Sequence, residues 1–211
     1  MGGCVPPLRD ARPGASEVRS AAGRRGCAAL WRRDAAIVEL FCGRGNGLQA
    51  LEALGFANLE GVDLSPTLAR AYCGRARVHV ADCRALPFED ASRDVAIVHG
   101  GLHHLEHLEE YLQRTLEEVH RVLRPGGRLV VVEPWLTPFL SLVHAICALP
   151  RARAVSRRLD ALAEMIESER PTYEAWLANP ELVLRALNDL FETERRTIRF
   201  GKLALVALRR P

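Results

Sequence analysis

From Ala35 onward, short apolar runs alternate with stretches whose apolar positions recur at three and four. The first class predicts strands at Ala36 to Leu40, Leu59 to Val62, Val78 to Val80, Val95 to Val98 and Leu129 to Glu133. The second predicts helices at Leu48 to Leu54, Pro66 to Gly74 and Leu105 to Leu123. In the last of these Leu105, Leu108, Leu112, Leu116, Val119 and Leu123 form one face, Glu106, Glu109, Glu110 and Arg114 the other, and Pro125, Gly126 and Gly127 stop it. Strands alternating with helices predict an α/β fold with a mostly parallel sheet covered on both faces. The alternation breaks after Glu133: Leu136 to Leu187 is helical in texture, with Asn179 and Pro180 marking a helix start. Two strand-like runs, Glu194 to Phe200 and Leu203 to Leu208, then meet at Gly201 and predict an antiparallel end to the sheet.

With 211 residues the chain suits one domain with attachments, taken here as 34–211, with 136–187 as a helical cap insertion. Residues 1–33 lack periodicity and read as a poorly ordered lead-in, with one short helix near Leu30 and Trp31. A net charge of +3, with Lys202 the single lysine among 29 basic residues, gives no reason to expect a nucleic-acid partner. The six cysteines form no CxxC pair, and no apolar run near Met1 has the form of a signal peptide, so a cytoplasmic location is expected. The apolar run Trp135 to Pro150 is too short to span a bilayer, and no stable membrane insertion is expected.

The stretch "VELFCGRGNG" places Gly43, Gly45 and Gly47 in the turn after the first strand, where a parallel sheet lets backbone approach a ligand. Their GxGxG spacing departs from the dinucleotide fingerprint GxGxxG, which disfavours an NAD-dependent oxidoreductase. Glu39, at the end of the same strand, would repel a pyrophosphate and attract an ammonium. Asp63 follows the second strand, placed to accept two ribose hydroxyls, and Asp82 follows the third, placed to accept an adenine amino group.

These segments, with "GVDLSP", "ADCRALPFEDASRDVAIVHGGLHHL" and "LEEVHRVLRPGGRLVVVEP", resemble class I S-adenosylmethionine-dependent methyltransferases of the type 11 small-molecule group. The resemblance implies a Rossmann-like sheet of seven strands, the last antiparallel, with S-adenosylmethionine as cofactor. The residues it places at the cofactor are Glu39, Phe41, Cys42, Gly43, Gly45, Asp63, Leu64, Asp82, Cys83, His99 and Gly100, with Phe41 standing at the first glycine position of the motif. A small or medium, partly apolar acceptor is expected under the cap, where Tyr173 and Trp176 add aromatic surface. If that acceptor needs a base, the candidates are His103 and His104, ahead of Glu133 and Tyr173. His103 and His107 share a helical spacing, but the sequence offers no full ligand set and no metal is expected. The alternative function is a non-catalytic module that only binds S-adenosylmethionine.

Overall fold

A computed structural model describes residues 31–211; the helix expected near Leu30 and most of the N-terminal lead-in lie outside the described residues. Seven strands form one sheet in the order β3-β2-β1-β4-β5-β7-β6. They are β1 (Ile37–Leu40), β2 (Leu59–Asp63), β3 (Arg77–Val80), β4 (Arg93–His99), β5 (Leu123–Pro134), β6 (Phe191–Arg199) and β7 (Lys202–Arg209). β1 through β5 pair in parallel, whereas β7 runs antiparallel between β5 and β6. The predicted fold class and its reversed last strand are therefore present. The order reverses at β1 and β4, which makes their carboxyl ends the topological switch point where such sheets bind ligands.

Helices α1 (Asn46–Ala53) and α2 (Pro66–Arg70) follow the first two strands. Helix α2 starts because Pro66 is pre-set for the first helical position and the Ser65 hydroxyl accepts from the Leu68 N–H at 3.3 Å. It ends four residues before the expected Gly74, since Tyr72 turns back so that its hydroxyl donates to Glu52 at 2.6 Å.

Helix α3 (Leu108–Val122) buries Leu112, Leu116, Val119 and Val122 completely; burying each is worth about 1.5–3 kcal/mol. It begins at Leu108, not at the expected Leu105. Leu102–His104 instead form a single 3-10 turn, held by hydrogen bonds to Glu133.

The segment after β5 consists of α4 (Pro138–Cys147), α5 (Pro150–Val155), α6 (Arg157–Ser168), α7 (Arg170–Ala178) and α8 (Pro180–Leu190), with no strand among them. Side-chain caps begin two of these helices: Thr137 accepts from Leu140 N–H at 3.2 Å and Ser156 from Leu159 N–H at 3.4 Å. Trp176 departs from its expected place under a cap. It is fully buried in the core, its Nε1–H donates to the Pro134 carbonyl at 2.8 Å, and its ring meets Trp135 edge-on. An indole filled on all sides by core cannot line a cavity, and Tyr173, the other aromatic of the pair, is buried as well.

Candidate active site

The turn after β1 is built on positive φ angles at Phe41 (53°), Gly43 (54°) and Gly45 (72°). A phenylalanine held there costs on the order of 1–2 kcal/mol. Packing fixes it: the ring lies against Gly101, where an added Cβ would come within 2.3 Å of Phe41 Cγ. Gly45 and Gly47 are also required by close approach, since a Cβ would fall 2.2 Å from the Tyr72 ring at the first and 1.9 Å from Glu39 Oε1 at the second.

Glu39 is buried behind this turn. Its carboxyl meets the Leu48 N–H, its Oε2 has no hydrogen-bond partner among the described residues, and burial pushes its pKa up to about 8.

Asp63 ties the turn to β2. Its Oδ2 accepts from Gly43 N–H at 2.7 Å and its Oδ1 from Ser65 N–H at 2.8 Å, leaving further lone pairs toward the cleft. Asp82 is clamped by Arg84, whose Nε lies 3.0 Å from both carboxylate oxygens and whose Nη2 lies 2.6 Å from Oδ2. Arg84 holds the Asp82 carboxyl below the usual range, and its guanidinium stacks 3.9 Å above the Tyr111 ring.

A cleft of about 540 Å³ opens at the carboxyl ends of β1, β2 and β4. Of the predicted residues, Phe41, Gly43, Asp63, Leu64, Asp82, Cys83, Gly100 and His104 line it. Glu39 and Gly45 stand behind its glycine turn, and His99, half-buried at the end of β4, is not in its lining. The Cys42 thiol points away from the cleft toward Gly61, and burial raises it to about 12, so it packs rather than reacts. Sequence reading missed Leu68, Arg84, Leu105, Glu106 and Tyr111, which complete the wall. A smaller cavity of about 380 Å³ lies by Trp31, Asp94 and Arg124, at the opposite ends of the strands and away from the glycine turn.

Beside the cleft a second group converges. Glu133, buried at the end of β5, accepts from Gly101 N–H and Leu102 N–H at 2.8 Å each and from His103 Nδ1 at 2.7 Å. With its oxygens so occupied it orients His103 and is no base itself. The contact through Nδ1 leaves His103 Nε2 facing away from Glu133. That nitrogen lies 3.7 Å from Glu169 Oε2, and His104 Nδ1 lies 3.6 Å from the same oxygen. Both gaps are too long for direct hydrogen bonds and suit a polar atom held between the three groups.

His104 has its pKa lowered by burial first and by the neighbouring His103 second, which keeps it neutral and basic near pH 7. The Tyr173 and His103 rings meet edge to face with their centres 5.8 Å apart, and the Tyr173 hydroxyl lies 3.2 Å from His144 Nε2. Desolvation raises this phenol to about 12, which makes it a weak acid-base candidate. The ligand atoms of His103, His104 and Glu169 lie within 4.8 Å of one another, so this trio has the donors to hold a metal ion.

Residues 38–131 match a family described as a methyltransferase domain. A demethylmenaquinone methyltransferase of Streptomyces avermitilis is 36% identical over 110 residues, covering 49% of this chain and 44% of the relative. A ubiquinone/menaquinone biosynthesis C-methyltransferase of Rubrivivax gelatinosus is 32% identical over 146 residues, covering 64% of this chain and 55% of the relative. The chain thus spans about half the length of these curated relatives. Among solved structures, a Pyrococcus horikoshii protein superposes with a TM-score of 0.69 at 17% identity, over 95% of this chain and 93% of the other. The geranyl diphosphate C-methyltransferase of Streptomyces coelicolor, crystallised with Mg2+, a geranyl thiolodiphosphate and S-adenosyl-L-homocysteine, gives 0.63 at 16% identity, over 93% and 75%. Residues 38–131 thus match a methyltransferase-domain family, on a chain that shares the fold of the solved structures named above.

Proposed function

We propose that this protein is an S-adenosylmethionine-dependent methyltransferase acting on a small or medium-sized, partly apolar acceptor. The observation that carries the reading is the buried carboxyl of Glu39, unpaired at Oε2 behind a glycine turn at the switch point of the sheet. Such a group destabilises the chain unless a cation meets it, and the ammonium of a methionine moiety is a cation of the right size. Asp63 would accept the ribose hydroxyls. Asp82 would face the adenine edge, with Arg84 stacked on Tyr111 beside it.

The cofactor supplies an electrophilic methyl on a sulfonium, so the protein needs no covalent intermediate and catalysis rests on holding the acceptor collinear with that methyl. The acceptor's ionisable group would sit among His103, His104 and Glu169. His104, neutral at pH 7, takes its proton, while Glu133 holds His103 in one tautomer and Glu169 stabilises the cation that forms. Carbon is the favoured acceptor atom, because the Rubrivivax gelatinosus relative is a C-methyltransferase.

The cap reading for 136–187 is supported by α7, which brings Glu169 and Tyr173 to the histidines. Chemistry within one small enclosed site needs no nucleic acid, and a cytoplasmic setting supplies the cofactor. Incubation with methyl-labelled S-adenosylmethionine and a metabolite extract, followed by mass spectrometry, tests this. A labelled small-molecule product is expected; tight cofactor binding with no labelled product in any fraction would leave only a cofactor-binding module.

A further inference from the structure

Helix α4 has two unlike faces. Its inner face carries the buried Cys147 and His144, which reaches Tyr173 beside the proposed acceptor group. Its outer face carries Phe139 and Leu142, 49% and 59% exposed, and the stripe continues to Leu149 at 56%. At the start of the helix, Phe139 stacks edge-on with Phe200 at the tip of the β6–β7 hairpin, itself 62% exposed, at a ring separation of 5.7 Å. Side chains of this size, exposed and contiguous over two elements, mark an interaction surface.

The charges around the stripe decide what it meets. Between Glu133 and Asp160 the sequence has four arginines and no acidic residue. Of these, Arg151, Arg157 and Arg158 are exposed and make no ion pair among the described residues. At the other end Arg199 lies 4.5 Å over the Phe200 ring. An exposed apolar stripe followed along the chain by three exposed arginines without ion pairs, and with Arg199 beside Phe200, complements anionic headgroups above acyl chains. The helix has ten residues, a rise of about 15 Å, and no helix among the described residues is long and apolar enough to cross a membrane.

From this geometry we infer that the outer face of α4, with Leu149 and Phe200, docks on the surface of an anionic lipid bilayer. The contact is interfacial and reversible, and it puts the far side of the same helix against Tyr173, which neighbours His103. Delivery of a lipid-soluble acceptor by this route rests on the proposed function; the docking itself does not.

Co-sedimentation with two kinds of vesicle, pure phosphatidylcholine and a 70:30 mixture with phosphatidylglycerol, tests the docking with the full chain. The wild type should pellet with the anionic vesicles, little with the neutral ones, and less as salt rises from about 50 to 500 mM. The double variant Phe139→Ser/Leu142→Ser should lose at least tenfold in partition. Arg157→Gln/Arg158→Gln should lose about 25-fold, at roughly fivefold per arginine. Both variants should keep the wild-type melting temperature and S-adenosylmethionine affinity, which separates a lost surface from a lost fold. Failure of the cofactor reading would leave the vesicle result standing. No pelleting, or equal pelleting with both lipids, would overturn the inference. So would a wild-type dimer that Phe139→Ser/Leu142→Ser converts to a monomer, since the face would then belong to a second copy.

Discussion

Replacing Glu39 by glutamine keeps the shape of the side chain and removes its ability to ionise. In the folded protein this carboxyl has its pKa raised from 4.5 to about 8 by burial, against a smaller opposing effect of the Leu48 N–H. The unfolded chain releases the proton near pH 4.5, and the folded chain holds it until about pH 8, so the folded state is penalised progressively as pH rises through that interval. At pH 7 the penalty is on the order of 3 kcal/mol, at 1.36 kcal/mol for each pH unit above 4.5. Glutamine avoids it and leaves an unsatisfied amide N–H that costs about 1–3 kcal/mol. The stability difference between variant and wild type should therefore move in favour of the variant from pH 5 to pH 8.5, by on the order of 3 kcal/mol or more. Urea denaturation at those two pH values measures it. The same variant should lose S-adenosylmethionine affinity. In the wild type, calorimetry in buffers of different ionisation enthalpy should show binding at pH 7 releasing close to one proton. A stability difference that does not change with pH, or binding without proton release, would refute the assignment of Glu39 as a neutral acid awaiting a cation.

His104→Asn should lower kcat by on the order of 100-fold with cofactor affinity unchanged in direct titration. The pH–rate profile should fall on the acid side at a pH below 6.5, because burial and His103 lower the His104 pKa; Glu169 opposes that lowering, so Glu169→Gln should move the limb to still lower pH. Trp176→Ala should cost about 3–5 kcal/mol and on the order of 10 °C in melting temperature, since it empties a filled core position and strands the Pro134 carbonyl; an unchanged melt would contradict the core placement. Chelation should leave activity intact, because the donor already carries its positive charge on sulfur; activity lost to chelator and restored by a divalent ion would make His103, His104 and Glu169 a metal seat.

What sequence reading captured depends on short-range signals. The strands feeding the glycine turn and the acids at Asp63 and Asp82 carry their periodicity and turn chemistry within a few residues, and each sits where the cleft needs it. Errors of extent arise where a side chain overrides the period. Leu105 continues the repeat of α3, but the three backbone and imidazole bonds to Glu133 fix the preceding turn and delay the helix to Leu108. The Asp82–Arg84 clamp was available in principle, as an acid and a base two residues apart. Glu169 was not: it lies 65 residues beyond His104, in the turn between α6 and α7, and nothing in "ESERP" distinguishes it from a solvated acid. Trp176 misled because an aromatic residue in a helical insertion has the same pattern whether it lines a cavity or fills a core.

The most direct measurement is a calorimetric titration of the purified full chain with S-adenosylmethionine, run side by side on the wild type and Asp63→Ala. Asp63 both faces the cleft and fixes the glycine turn through Gly43. The wild type should bind one equivalent, and the variant, still folded by its melting curve, should lose about 2–3 kcal/mol of binding, roughly 30- to 150-fold in Kd. Equal affinity of the two proteins, or no binding by the wild type, would contradict the assignment of this cleft to the cofactor.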